Sequence, residues 1–315
     1  MNYMINGRIK LNHFFKAVIL TAVLSLPQAI FAQDDGPRMY WVAPVDLNVV
    51  QSFAWFSQSN TISASGTIFL PDVVTDGLAA IMSYNRYFGL FGRTSLATVL
   101  ATFGNATTDV SENITQSTRG VGDLYLGLTV NLFGGTAMPM AQFLQFEQKT
   151  VLALLVGSTI PIGNYDNERL LNMGENRWGF RAGLPFVQSL SSWVPGKITT
   201  LEITPSAWFF SANNEFLGSQ KFEQAPLFLL EAHLTRDFSE VFYLSLDYML
   251  QSGGETTLND IKQDDAQTAN FLGLTMGYQI TETLKFDFRY NASLKPRPEK
   301  DIDIDLLQFN FTHAW

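Results

Sequence analysis

The sequence predicts an all-β fold: a transmembrane, antiparallel outer-membrane β-barrel of about twelve strands, with short periplasmic turns and long extracellular loops. Three observations predict it. Charged residues make up only 16% of the 315-residue chain while aromatic residues reach 13%, 26 of them Phe; an ordinary soluble domain carries roughly 25% charge. No stretch after the first thirty or so residues reaches the run of about 18 apolar residues that a membrane helix needs. Instead, apolar residues recur at every second position, the pattern of strands with one face on lipid and the other on a lumen.

Residues 1–32 read as a secretory signal. Arg8, Lys10 and Lys16 precede the apolar run Ala17 to Leu26, and Ala32 offers a cleavage point before Gln33. Its removal deletes three basic and no acidic residues, which leaves 17 basic against 29 acidic side chains and a net charge of −12. That balance argues against nucleic acid as a partner. The chain has no cysteine, so disulfides and thiolate chemistry are excluded.

Residues 33–45, polar with two prolines, are expected to be a short periplasmic lead-in, and 46–315 the barrel. Asp46 to Ser57 forms the first strand, and Thr61 to Leu70 belongs to a long loop. Gly77 to Gly89 and Arg93 to Phe103 make a hairpin about a glycine-rich turn. Asn105 to Thr118, polar and without apolar periodicity, reads as a loop. The cleanest strand follows: Leu124, Leu126, Leu128, Val130 and Leu132 on one face, Asp123, Tyr125, Gly127, Thr129 and Asn131 on the other. Met138 to Phe146 fits either a short helix at the periplasmic rim or extended rim residues.

Further strands are predicted at Lys149 to Pro161, Arg177 to Leu190, Ile198 to Ser211, Glu223 to Thr235, Glu240 to Gln251, Thr268 to Ile280, Leu284 to Leu294 and Ile304 to Trp315. Their connections alternate short and long, so counting back from a periplasmic Trp315 puts short turns inside and long polar loops outside. The faces are fixed by charge. In Leu284 to Leu294, Lys285, Asp287 and Arg289 must face the lumen, because a Lys or Arg on the lipid face costs about 2–4 kcal/mol at the membrane centre.

The lumen inventory then carries the functional argument. Arg177, Arg181, Tyr243, Asp247, Lys285, Asp287 and Arg289 are candidates for a constriction, or for a paired network that stiffens the wall. After the signal only His233 and His313 remain. With Ser245 or Asp247 opposite, His233 is the one candidate base for a barrel-embedded lipid hydrolase, although no nucleophile-elbow motif accompanies it. No metal site and no cofactor are expected.

Three stretches resemble a known family. Gly120-Val121-Gly122-Asp123-Leu124-Tyr125-Leu126-Gly127 enters the cleanest strand, Val156 to Tyr165 with Pro161 and Gly163 leaves the next, and Asn172 to Gly179 follows. They are similar to the outer-membrane channel family of the meta-pathway of phenol degradation, with Ile162 and Asn164 standing where the family more often has Thr and Asp. The resemblance extends over Met82 to Trp315. It implies a Gram-negative outer-membrane channel or transporter for small solutes, aromatic or hydrophobic compounds among them, and gives Gly120, Gly122, Asp123, Pro161 and Gly163 structural roles at strand ends. The alternative is an envelope-maintenance barrel with a closed lumen. Expected partners are outer-membrane lipid and lipopolysaccharide, the barrel-assembly machinery through the strand ending at Trp315, and the solute.

Overall fold

The computed structural model describes residues 35–60, 73–111, 114–294 and 303–315. The predicted signal and the Thr61 to Leu70 segment lie outside them. The wall is built from β1 (Asn48–Ser59), β2 (Val74–Leu90), β3 (Arg93–Ser111), β4 (Ile114–Val121) running on into β5 (Leu124–Phe133), β6 (Thr150–Ile160), β7 (Gly179–Gly183) running on into β8 (Phe186–Ser189), and β9 (Thr199–Phe210). After β10 (Asn213–Phe216) and β11 (Gln220–Gln224) come β12 (Leu227–Ser239) and β13 (Phe242–Gly253). Then follow β14 (Thr256–Leu258), β15 (Ile261–Lys262), β16 (Gln267–Gln279), β17 (Leu284–Ser293) and β18 (Ile304–Ala314).

Taking β4 with β5 and β7 with β8, twelve antiparallel spans pair around a ring, and β1 pairs with both β2 and β18. Closure is what lipid demands, since an open sheet edge would leave backbone N–H and C=O groups without partners. Asn48 and Trp315 exchange both backbone hydrogen bonds, at 2.9 and 3.0 Å, and so bring the two ends of the barrel together on one rim. No helix among the described residues is long and apolar enough to cross a membrane.

The alternation of faces follows the sequence. On β16, Leu272, Leu274, Met276 and Tyr278 are exposed, while Phe271, Thr275 and Ala269 are buried. On β17 and β18, Tyr290 and Phe311 face out, and Asp287, Arg289, Gln308 and Asn310 are buried. Leu126 and Leu132 face out on β5, opposite Thr129 and Asn131.

Five predicted segments differ. Asn105 to Thr118 is no loop: β3 and β4 continue as a ladder that pairs Asn105 with Arg119 and Thr108 with Gln116. Beyond the lipid belt neither face needs to be apolar, so the ladder persists where the hydrophobic signal ends. The Arg177 to Leu190 strand breaks at Leu184-Pro185, where Pro185 has no N–H to give the ladder. The strand expected from Glu223 begins at Leu227. The loops read at 212–222 and 252–267 hold β10, β11, β14 and β15, which form a separate four-stranded sheet above the wall. The stretch Met138 to Phe146 contains the four-residue helix α1 (Met140–Phe143).

Candidate functional site in the barrel lumen

Two segments that are not part of the wall occupy the lumen. The first is the chain ahead of β1. Asp35 accepts from the Arg181 guanidinium at 2.9 Å and from the Tyr40 hydroxyl at 2.6 Å, and its own N–H donates to Glu231 at 2.9 Å. The N–H of Arg38 and the indole of Trp41 both donate to Glu202, at 2.8 and 3.0 Å. The Arg38 guanidinium pairs with Asp237 and lies 3.8 Å from the ring centre of Tyr243. Gly36, at φ +84°, lies so close to Arg289 that a Cβ would sit 1.8 Å from the guanidinium, which explains glycine there. The expected periplasmic lead-in is therefore drawn into the lumen and tied to both sides of the wall.

The second segment is the 161–178 connection between β6 and β7, which folds inward over the extracellular end. Leu171 and Met173 are each 1% exposed, and they pack with lumen-facing Trp55, Trp208, Leu227 and Phe271. A clasp holds the connection down. Asp123, between β4 and β5, accepts from the N–H groups of Gly163 and Glu175, both at 2.9 Å. Asn164 exchanges bonds with the backbone of Val121 at 2.7 Å, and Gln116 accepts from the N–H groups of Leu170 and Leu171 at 3.2 Å. Burial pushes the Asp123 carboxyl up to about 6, although the two N–H donors and Arg177 oppose the shift.

Six of the seven candidate lumen residues gather around the N-terminal segment. Tyr243 donates to Asp287 at 2.7 Å, and Lys285 pairs with the same carboxylate at 2.9 Å. Arg181 bridges Asp35 and Glu231, both at 2.9 Å, and Arg289 packs on Gly36. Asp247 meets His233 Nδ1 at 2.7 Å and accepts from Ser245 at 2.6 Å. A histidine-activated nucleophile needs its hydroxyl on the imidazole; here the Ser245 hydroxyl turns to the carboxylate instead. Arg177 stands apart near the extracellular end, bound to Glu175 and Gln224 and stacked over Phe210.

The N-terminal segment bounds a cavity of about 150 Å³ whose apolar lining is Phe53, Trp55, Ile81, Leu100, Tyr125 and Trp208, with Ser83, Thr98, Thr102 and Thr129 among them and Asp35, Met39 and Arg181 also on its wall. A second cavity of about 160 Å³ lies on the other side of the N-terminal segment, against Tyr87, Lys285, Asp287, Arg289 and Asn310. The lumen is thus an apolar chamber beside a charged one, with Asp35 and Met39 touching both. Sequence reasoning did not single out Trp55, Trp208, Leu171, Met173, Asp35 or Arg38; the inward face of each strand, read as far as its apolar members, would have found the two tryptophans.

The family model described as "Putative MetA-pathway of phenol degradation" matches residues 32–300. The chain belongs to this family. The match begins at residue 32, ahead of Met82, and so takes in the segment that crosses the lumen. A search of curated proteins finds no match. An outer membrane channel from Pseudomonas putida F1 superposes with a TM-score of 0.74 at 20% identity, covering 90% of this chain and 100% of its own. The β domain of the Bordetella autotransporter BrkA superposes at 0.50, with 11% identity over 86% of this chain and 100% of its own. These likenesses show the fold. The phenol-degradation family motifs have a physical reading in this chain: Asp123, Gly163 and Gly174 meet in the clasp, and a Cβ on Gly120 would sit 2.0 Å from Asn164 Oδ1. Because only that oxygen of Asn164 accepts from Val121, an aspartate would serve equally, and Ile162 is exposed, so neither departure from the family pattern disturbs the clasp.

Proposed function

We propose that this outer-membrane barrel passes small, aromatic or otherwise hydrophobic solutes through its lumen by way of the apolar chamber. One observation carries the reading. A barrel interior rich in ion pairs keeps a cavity of about 150 Å³ walled largely by aromatic and aliphatic side chains, beside an N-terminal segment that is hydrogen-bonded in place rather than built into the ladder. Apolar surface left unfilled in a lumen forfeits dispersion contacts, so its retention points to an occupant. Membership in a family described by phenol degradation supports the same solute class, and the likeness to a solved outer membrane channel supports passage through the lumen.

Uptake of toluene into liposomes tests the proposal. Vesicles containing refolded barrel should take it up faster than empty vesicles, and the gain should vanish when Trp55 or Leu100 is changed to Asp. Equal uptake with and without protein would instead favour a barrel with a permanently closed lumen, which the density of ion pairs around Arg38 and Arg181 also suits. The β1–β18 seam, closed by Asn48 and Trp315, is the site on which assembly machinery would act, and lipopolysaccharide would surround the belt. Deleting Trp315 should lower the fraction of heat-modifiable, assembled barrel.

A further inference from the structure

The two chambers meet along one stretch of wall. Inward side chains of β1 follow one another about every 7 Å along the strand, and in order they line first one chamber and then the other. Trp55 faces the apolar chamber alone, Phe53 and Gln51 face both, and Val49 faces the charged chamber alone, with Leu47 beyond it beside the rim. β2 repeats the order: Ile81 and Ser83 line the first chamber, Asn85 and Tyr87 the second. The chambers are therefore stacked along the barrel, and Asp35, Met39, Gln51 and Phe53 are the walls they share. Three of those four are held. Asp35 is bound to Arg181, Tyr40 and Glu231. The Gln51 side-chain oxygen accepts from Ser83 at 3.1 Å and from Asn85 at 3.2 Å, and Phe53 stands in the ladder between Ile81 and Asn310. Met39 has a pinned backbone, because the Arg38 N–H before it is bound to Glu202 and the Tyr40 hydroxyl after it to Asp35. Its half-buried side chain, by contrast, is unbranched, turns about three bonds and packs against the apolar cluster that holds Tyr40, Val151 and Leu155.

We propose that the two chambers form a single path and that the Met39 side chain is its gate, turning aside to pass a solute while the N-terminal segment stays bound. The contacts favour motion of the side chain over motion of the segment. Releasing the segment breaks the ion pairs of Asp35 with Arg181 and of Arg38 with Asp237, together with the two bonds to Glu202. Turning Met39 exchanges one staggered rotamer for another. The gate also sets a width. The neck lies between the Phe53 ring on the wall and Met39 on the segment, so the side chain at position 39 decides how broad a molecule goes through. The inference rests on the transport reading and names the residue that sets its size limit.

Uptake of toluene and of the two-ring naphthalene into vesicles holding the full barrel, each measured over empty vesicles, tests it. Met39→Ala shortens the gate and should raise naphthalene uptake relative to toluene by about tenfold, the scale on which an apolar site discriminates by small differences in size. Met39→Cys, labelled in the unfolded state and then refolded, places two further gates at the same position. Methyl methanethiosulfonate leaves a CH2–S–S–CH3 side chain, which matches methionine in length and should restore the original ratio. The benzyl reagent leaves a ring in the neck and should stop toluene. Raffinose, too bulky for either chamber, should stay excluded throughout, which shows the segment in place. An unchanged ratio in Met39→Ala, toluene uptake unaffected by the benzyl label, or entry of raffinose into vesicles of any of these variants would each overturn the gate. In those cases toluene uptake by the unaltered barrel leaves the transport reading standing. If the unaltered barrel takes up no toluene, that reading falls and the gate falls with it.

Discussion

Asp123 is a carboxyl whose surroundings pull in two directions. Its oxygens accept from Gly163 and Glu175, which favours the charged form, yet burial outweighs them and its pKa rises to about 6 from an ordinary 3.8. The fold therefore favours the protonated form. Its contribution to the clasp is fully present below about pH 4 and is lost as the pH rises through 6. Hydrogen exchange at the Gly163 and Glu175 amides should accordingly speed up between pH 5 and pH 7, beyond the intrinsic rise with pH, by on the order of tenfold, since one pKa unit is about 1.4 kcal/mol. Asp123→Asn should abolish that extra dependence. It should also weaken the clasp at low pH by about 1 kcal/mol, because the amide turns an NH2 donor toward one of the two backbone N–H groups, where the acid keeps an oxygen. Exchange that tracks the intrinsic rate in both proteins would show that this carboxyl does not govern the connection.

At the scale of elements, the N-terminal segment is held by contacts made far along the chain, and Arg38 is its centre. Its guanidinium is paired with Asp237 and lies between the Trp41 and Tyr243 rings, 4.4 and 3.8 Å from their centres. Arg38→Ala would leave Asp237 uncompensated in the lumen, a loss on the order of 3 kcal/mol for a buried pair, reduced here by the residual exposure of both groups. The chain lacks cysteine, so Met39→Cys introduces a unique thiol where the two cavities meet. Labelling of that thiol by a charged maleimide should rise at least tenfold when Arg38→Ala is added; unchanged labelling would mean the segment holds without the pair. The same contacts explain what the sequence could and could not disclose. The β17 stripe of Lys285, Asp287 and Arg289 announced its face, because lipid excludes charge whatever lies across the lumen. Asp35 and Arg38 sit in a short polar stretch on either side of Pro37, and their partners Glu231 and Asp237 lie 196 and 199 residues away, beyond any local periodicity. Leu171 and Met173 were hidden likewise, as isolated apolar residues in a polar connection whose inward turn depends on Asp123 and Gln116. The family motifs flagged that clasp by residue type without revealing that it folds the connection into the lumen.

Over the whole molecule, the charge within the lumen decides what an opened barrel would conduct. Around the N-terminal segment the described acids are Asp35, Glu202, Glu231, Asp237, Asp247 and Asp287, against the bases Arg38, Arg181, Lys285 and Arg289. Deleting residues 35–41 removes Asp35 and Arg38 together, so the excess of acid on the wall persists while the crossing segment is gone. A lumen lined in this way raises the local concentration of cations. The deletion variant in a planar bilayer should therefore conduct more than the intact barrel, and its reversal potential in a potassium chloride gradient should lie on the cation-selective side. The preference should shrink toward 1 M salt, where the screening length falls to about 3 Å. Anion selectivity would mean that Arg181, Lys285 and Arg289, freed from the segment, dominate the pathway. Unchanged conductance would mean that the inward connection clasped by Asp123, rather than the N-terminal segment, is what keeps the barrel shut.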